Sequence, residues 1–83
     1  MRTLGLVDLR QIDIDRLPLD EKTLCFANAL MGGAIFPPIK LHPRVGGRWR
    51  IKDGRHRWLA HRMLKRWKIK ASFYLGKETD NSS

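Results

Sequence analysis

The sequence predicts an α+β domain with a small mixed sheet and two main helices. Three observations carry that expectation. Residues 48–52 alternate with period two. Two separate stretches carry apolar residues at helical spacing. The apolar strand-like segments lie on either side of those helices, not in one block. Eighty-three residues make one small domain, near the lower limit for a self-sufficient core.

Taken in order, Leu4 to Leu9 is apolar apart from Asp8. Val7, Leu9, Ile12 and Ile14 continue it as an extended segment with a slip in register, ended by Leu17-Pro18. Asp20 is a fitting N-cap and Glu21 suits a first turn, which predicts a helix to about Met31. Gly32-Gly33 stops it. Leu24, Ala27, Leu30 and Met31 share one face, expected to lie on the sheet. Pro37-Pro38 forces extended chain into Ile39-Lys40-Leu41. Gly46-Gly47 reads as a hairpin turn. Beyond it, Trp49 and Ile51 point to one side and Arg48, Arg50 and Lys52 to the other.

The second helix is predicted from Arg55 to Trp67. Leu59, Ala60, Met63, Leu64 and Trp67 form its buried stripe, while Arg62, Lys65 and Arg66 face away. Trp58 falls off that stripe, where it can stack on a base or an arginine, or cover the edge of the core. Residues 69–75 read as a final strand. Domain organisation is expected as one domain over 1–76 followed by a flexible polar tail over 77–83.

Charge is large and uneven. The chain has a formal net charge of +9. Residues 40–70 hold 12 Lys or Arg and one acid, Asp53, whereas residues 1–39 and 71–83 are each at −1. Such a field attracts phosphates and is screened by salt. It points to nucleic acid, with DNA the favoured form, or to a nucleotide. The single cysteine, Cys25, excludes an internal disulfide, and no Cys/His zinc spacing occurs. The N-terminal apolar run is too short for a signal peptide and no stretch reaches membrane-spanning length, so a cytoplasmic protein is expected.

The segment from Asp53 to Ala60 concentrates the chemistry. Gly54 stands at a strand-to-helix corner, where a glycine permits a tight turn and close approach of a ligand. Arg55, His56 and Arg57 occupy the first turn, where unpaired N–H groups and the positive dipole end normally favour acids. Cations placed there suit a bound anion, phosphate above all. Gly54, Arg55, His56 and Arg57 are therefore the candidate phosphate or nucleotide site. Arg48, Arg50, Lys52, Trp58 and Arg62 are the candidate nucleic-acid face. No metal ligands or catalytic residues are assigned.

Three runs carry a family resemblance: GAIFPPIKL over 33–41, WRIKDGRHRWLA over 49–60 and IKASF over 69–73. Together they resemble the ParB/sulfiredoxin-like domain, in the ParB N-terminal-like form without a helix-turn-helix, over about residues 7–75. The likeness lies in a proline before a strand, a hairpin strand ending in Asp-Gly, and a Gly-x-Arg-Arg-like box opening a helix. The sulfiredoxin box Gly-Cys-His-Arg is also close to Gly54 to Arg57. The resemblance implies a compact α+β domain whose turn binds nucleotide phosphates, CTP or ATP, with Mg²⁺ as the accompanying ion. Gly54 would be the close-approach glycine, and His56 and Arg57 would match the sulfiredoxin His-Arg. Arg55 departs from both relatives. It stands where sulfiredoxin has its reactive cysteine and where ParB has an acidic or amide residue, so sulfinic-acid reduction is not expected.

Two other functions remain open at this point. The first is a ParB-like nuclease or nucleotide hydrolase. Metal-assisted cleavage needs clustered carboxylates, and Asp53 stands alone in the basic half. Asp8, Asp13, Asp15, Asp20 and Glu21 all lie upstream. His56 or His61 could act as a general base without metal, although they sit on different sides of one helix. His42, before Pro43, reads as a surface residue. The second is a protein-docking adaptor of phage or mobile-element type, whose basic face would meet an acidic protein partner. Edge strands in so small a sheet also make a homodimer an open expectation.

Overall fold

The computed structural model describes residues 2–74. Leu75, expected to end the last strand, and the proposed polar tail lie outside the described residues. The elements run β1 (Arg2–Asp8), a 3₁₀ turn (Leu9–Gln11), β2 (Ile12–Asp13), α1 (Glu21–Met31), β3 (Ile39–Leu41), β4 (Trp49–Asp53), α2 (Arg55–Met63) and β5 (Lys68–Tyr74). The strands form one sheet in the order β1-β5-β3-β4-β2. It is mixed: β1 with β5 and β3 with β4 are antiparallel, and β3 with β5 and β2 with β4 are parallel. The fold is α+β with two helices, as the sequence predicts.

Local chemistry explains the boundaries. The slip after β1 is the 3₁₀ turn, which Asp8 caps by accepting from the Arg10 N–H at 2.8 Å. Asp20 caps α1 by accepting from the Thr23 N–H at 3.1 Å. Val45 and Arg48 exchange backbone hydrogen bonds across Gly46-Gly47, closing the expected hairpin turn.

Both helices differ from expectation on their buried faces. On α1 the buried residues are Thr23, Ala27 and Leu30, whereas Leu24 and Met31 are exposed. The helix packs chiefly along α2 instead of the sheet, and the small Thr23 and Ala27 let the two backbones approach. The α2 helix stops at Met63, four residues short of Trp67. Lys65 turns the chain with φ 57°. Arg66 N–H donates to His61 O at 2.9 Å and Lys65 N–H to Arg62 O at 3.0 Å. This is the Schellman arrangement, here with lysine where glycine is usual. Met63 is consequently exposed, and Trp67 packs half-buried beside the core from beyond the helix.

The core gathers Val7, Leu9, Ile12, Ile39, Leu41, Trp49, Ile51, Trp58, Leu59, Ile69, Ala71 and Phe73. Trp49 and Phe73 pack with their rings tilted at 54° and centroids 4.8 Å apart. Of the two roles open to Trp58, the structure supports the core. The residue is 9% exposed and Nε1–H points at Leu9 O, 3.4 Å away. Its assignment to the nucleic-acid face is therefore corrected, because so buried a side chain offers little surface to a base.

Candidate functional site

The turn between β4 and α2 forms one wall of an open cleft of about 490 Å³. The facing wall comes from the segment before α1 and from α1 itself: Arg16, Pro18, Asp20, Lys22 and Phe26. Phe26 meets Phe36 edge-on, with centroids 4.9 Å apart, and gives the cleft an apolar patch beside its charges.

Gly54 makes the corner possible. Its φ of 114° lies where side chains are strained. A Cβ built there would come within 2.8 Å of Ile39 Cβ, and closer still to its Cγ2. Ile39 is wholly buried beneath it. The glycine is thus demanded by packing from below as well as by backbone geometry. No side chain caps α2, in contrast to Asp20 on α1, so its first-turn N–H groups are left to other partners.

The three side chains after Gly54 are each tied to a carboxylate from a different part of the chain. Arg55 grips Asp15 as a fork, Nε to Oδ1 at 2.7 Å and Nη2 to Oδ2 at 3.3 Å. His56 Nε2 lies 3.2 Å from Asp20 Oδ2. Arg57 Nη2 donates to Asp53 Oδ2 at 3.3 Å, while Nη1 donates to Pro37 O at 2.8 Å and Pro38 O at 3.4 Å. The Arg57 side chain is only 14% exposed. It clasps the Pro-Pro segment to the helix and keeps an edge in the cleft. The hydrogen bond from Arg55 holds the Asp15 carboxyl below its ordinary range. Asp20 is lowered in the same way, first by His56 and then by the Thr23 N–H. Both acids are ionised partners of the basic turn at neutral pH.

Of the residues singled out in the sequence, Gly54, Arg55, His56 and Arg57 are brought together in the cleft. The proposed nucleic-acid residues do not line it. Arg48 pairs with Asp13 at 2.7 Å and donates to Arg10 O at 3.0 Å. Arg50 and Lys52 lie on the exposed face of β4. Arg62 covers the Trp67 ring, its Cζ 4.8 Å from the centroid. His61 is on α2 but turned away, with Nδ1 2.7 Å from Arg57 O, and burial lowers its pKa. Sequence reasoning missed Arg16, Lys22 and Phe26. It weighed Asp15 only as a possible metal ligand, and Asp20 as that or as a helix cap, not as partners of the basic turn. The signal for their actual role was their number: the first 39 residues held five acids with no partner assigned. Among the described residues, no three His, Cys, Asp or Glu side chains are grouped to hold a metal ion, and no helix is long and apolar enough to cross a membrane.

No family model matches the sequence, and no curated protein matches it. Solved structures do. Sulfiredoxin from Arabidopsis thaliana superposes with a TM-score of 0.75 at 20% identity, covering 89% of this chain and 86% of that one. A free serine kinase in complex with AMP gives a TM-score of 0.77 at 20% identity over 87% of this chain. A Pnob8-like ParB-N domain gives 0.70 at 15% identity over 93% of this chain. This chain spans about a third of the kinase and ParB chains, 31% of each. At these identities the likeness establishes the fold: the chain has the ParB/sulfiredoxin-like fold.

Proposed function

We propose that this protein binds the phosphate groups of a nucleotide in the cleft at the start of α2. The observation that carries the reading is the uncapped helix N-terminus, with its basic first turn, opening directly into a cleft of about 490 Å³. Helix N–H groups and the dipole favour an anion there, and the volume is within the range of small-molecule sites. Arg16, Lys22 and Arg55 add cationic reach, and Phe26 offers an apolar surface for a base. Solved proteins of the same fold hold AMP or ADP, which supports a nucleotide as the ligand class. ATP and CTP, with Mg²⁺ added, are the forms to test first.

A second reading has its own observation. Lys40, Arg50, Lys52, Lys68 and Lys70 are exposed at alternate strand positions, and among the described residues none of them forms an ion pair. That row suits the backbone of a nucleic acid, which would lie outside the cleft.

Calorimetric titration of the purified chain with AMP, ADP, ATP and CTP, with and without Mg²⁺, tests the first reading. Single-stranded and duplex DNA at two salt concentrations test the second. Nucleotide binding that weakens at least tenfold in Arg55→Ala supports the cleft. DNA binding that survives Arg55→Ala and falls steeply with salt supports the sheet row. Silence with every nucleotide would overturn the first reading. Gel analysis of the DNA in the same samples reports any cleavage.

A further inference from the structure

The β1 strand is an edge strand without the usual protections. It pairs with β5 on one side over seven residues with no register shift, and among the described residues no strand pairs on its other side. Natural edges are commonly blunted by lysine, proline or a bulge. Between Arg2 and Asp8 this edge has none of these. It instead exposes Leu4 at 62% and Leu6 at 68% on the outer face of the sheet.

The direction of its free hydrogen-bonding groups follows from the register. Leu9 N–H donates to Trp67 O at 2.7 Å, and that pair continues the β1–β5 alignment of Asp8 with Lys68. In an antiparallel ladder, hydrogen-bonded and non-bonded pairs alternate. The odd residues of β1 therefore bond to β5. Arg2, Leu4, Leu6 and Asp8 direct their N–H and C=O groups outward, away from the sheet.

We propose that β1 pairs with β1 of a second copy of this chain, antiparallel and centred on Gly5, to make a symmetric dimer with one continuous sheet. In that register Leu4 lies opposite the partner's Leu6 and Leu6 opposite the partner's Leu4. Every outward N–H and C=O from Arg2 to Asp8 acquires a mate. The four leucines form one apolar patch on the outer face, which answers their exposure in the single chain. The strand ends also agree: Arg2 falls opposite the partner's Asp8, whereas a parallel arrangement would set like charges together. Gly5 on the two-fold axis carries no side chain, so the backbones meet there unobstructed. A register displaced by one residue would turn the leucines to opposite faces of the joined sheet. A displacement by two keeps the faces but shortens the ladder. The edge is thus most complementary to itself at one alignment, as an isologous interface requires. This inference is independent of the cleft and its ligand.

Sedimentation velocity of the full chain over a concentration series tests it. Wild type should sediment at twice the chain mass, and the double variant Leu4→Lys/Leu6→Lys at the chain mass, with an unchanged far-ultraviolet circular dichroism spectrum. A wild type that stays monomeric at every concentration, or a folded double variant that stays dimeric, overturns the proposal. Disulfide trapping in a Cys25→Ser background reads the register. Leu4→Cys mixed with Leu6→Cys should give a covalent dimer on oxidation. Rapid self-linking of Leu4→Cys alone, with no mixed product, would overturn the alignment.

Discussion

Replacing Gly54 by alanine places two separate costs at one point. The backbone there has φ 114°, outside the region a side chain tolerates, and holding a non-glycine residue in left-handed conformation costs about 1–2 kcal/mol. The new Cβ would also meet Ile39 Cβ at 2.8 Å. Ile39 sits in a fully buried position, and overpacking of this kind costs about 1–3 kcal/mol. Together the loss is about 2–5 kcal/mol, a large share of the roughly 4–12 kcal/mol total stability of a domain this size. Thermal unfolding followed by circular dichroism should show Tm falling by about 10 °C or more. The steric half can be reduced. In an Ile39→Ala background the same substitution should cost less, because Cγ2, the nearer of the two colliding atoms, is gone while the contact with Cβ remains. A Gly54→Ala protein that melts within a few degrees of wild type would refute the packing argument. It would leave close approach of a ligand as the reason for glycine.

Other substitutions separate scaffold from site. Arg57→Ala removes charge-assisted hydrogen bonds to Pro37 O and Pro38 O and should destabilise the fold by about 2 kcal/mol, seen as a lower urea midpoint. Arg57→Lys should restore little of this, because one ammonium cannot span the carbonyls and Asp53 as the planar fork does. Trp58→Phe keeps most of the core volume but gives up the indole N–H at Leu9 O. It should cost about 1 kcal/mol and leave nucleotide and DNA affinity unchanged in the same titrations. Asp15→Asn should tighten nucleotide binding severalfold at low salt, since it removes a competing anion from Arg55; weaker binding would mean that Arg55 must be held by its partner. On acidification, Asp8 is held down to about 2 by hydrogen bonds from Arg10, first its side chain and then its N–H. Asp13, Asp15 and Asp20 are lowered in the same direction. A carboxylate depressed in the folded state stabilises above its unfolded pKa and loses that contribution as pH falls through the folded value. His61, lowered by burial, adds a loss that begins below about pH 6.5. Tm should therefore fall as pH drops from about 6.5 toward 2, and Asp8→Asn should flatten the most acidic part of the curve.

What the sequence revealed was set by local chemistry. The period-two run over residues 48–52, the Asp20 cap and the Gly46-Gly47 turn each rest on neighbouring residues, and each is found. What stayed hidden depended on tertiary partners. The stripe on α1 was read from apolarity alone, and Leu24 outscored Thr23 on that scale. Thr23 is buried because its hydroxyl donates to Pro18 O and because α2 lies close against it. The early end of α2 was invisible because Lys65, not glycine or asparagine, takes the left-handed position. Within the site, the grouping of Gly54, Arg55, His56 and Arg57 needed only helix geometry. Asp53 stands four residues before Arg57, a spacing legible in the sequence, but Asp15 and Asp20 needed the path of the chain from β2 into α1, which no spacing rule supplies.

Those acidic partners change how the basic character of the chain must be understood. The excess positive charge is legible in composition, but the cleft is not where it accumulates, since Asp15, Asp20 and Asp53 each face a basic group of the turn. The fork to Asp15 occupies two N–H groups of Arg55 out of the five a guanidinium offers, so others remain for a ligand. Exposed pairs of this kind contribute little to stability in water, which makes exchange of the carboxylate for a phosphate inexpensive. Specific binding in the cleft must then come from oriented donors and the helix terminus more than from net charge. The unpaired row on the sheet has the opposite character: charge without built acceptor geometry, effective over a Debye length of about 8 Å at physiological salt. Raising salt should therefore strip polyanions from the sheet face well before it empties the cleft, and the two affinities should separate along that single variable.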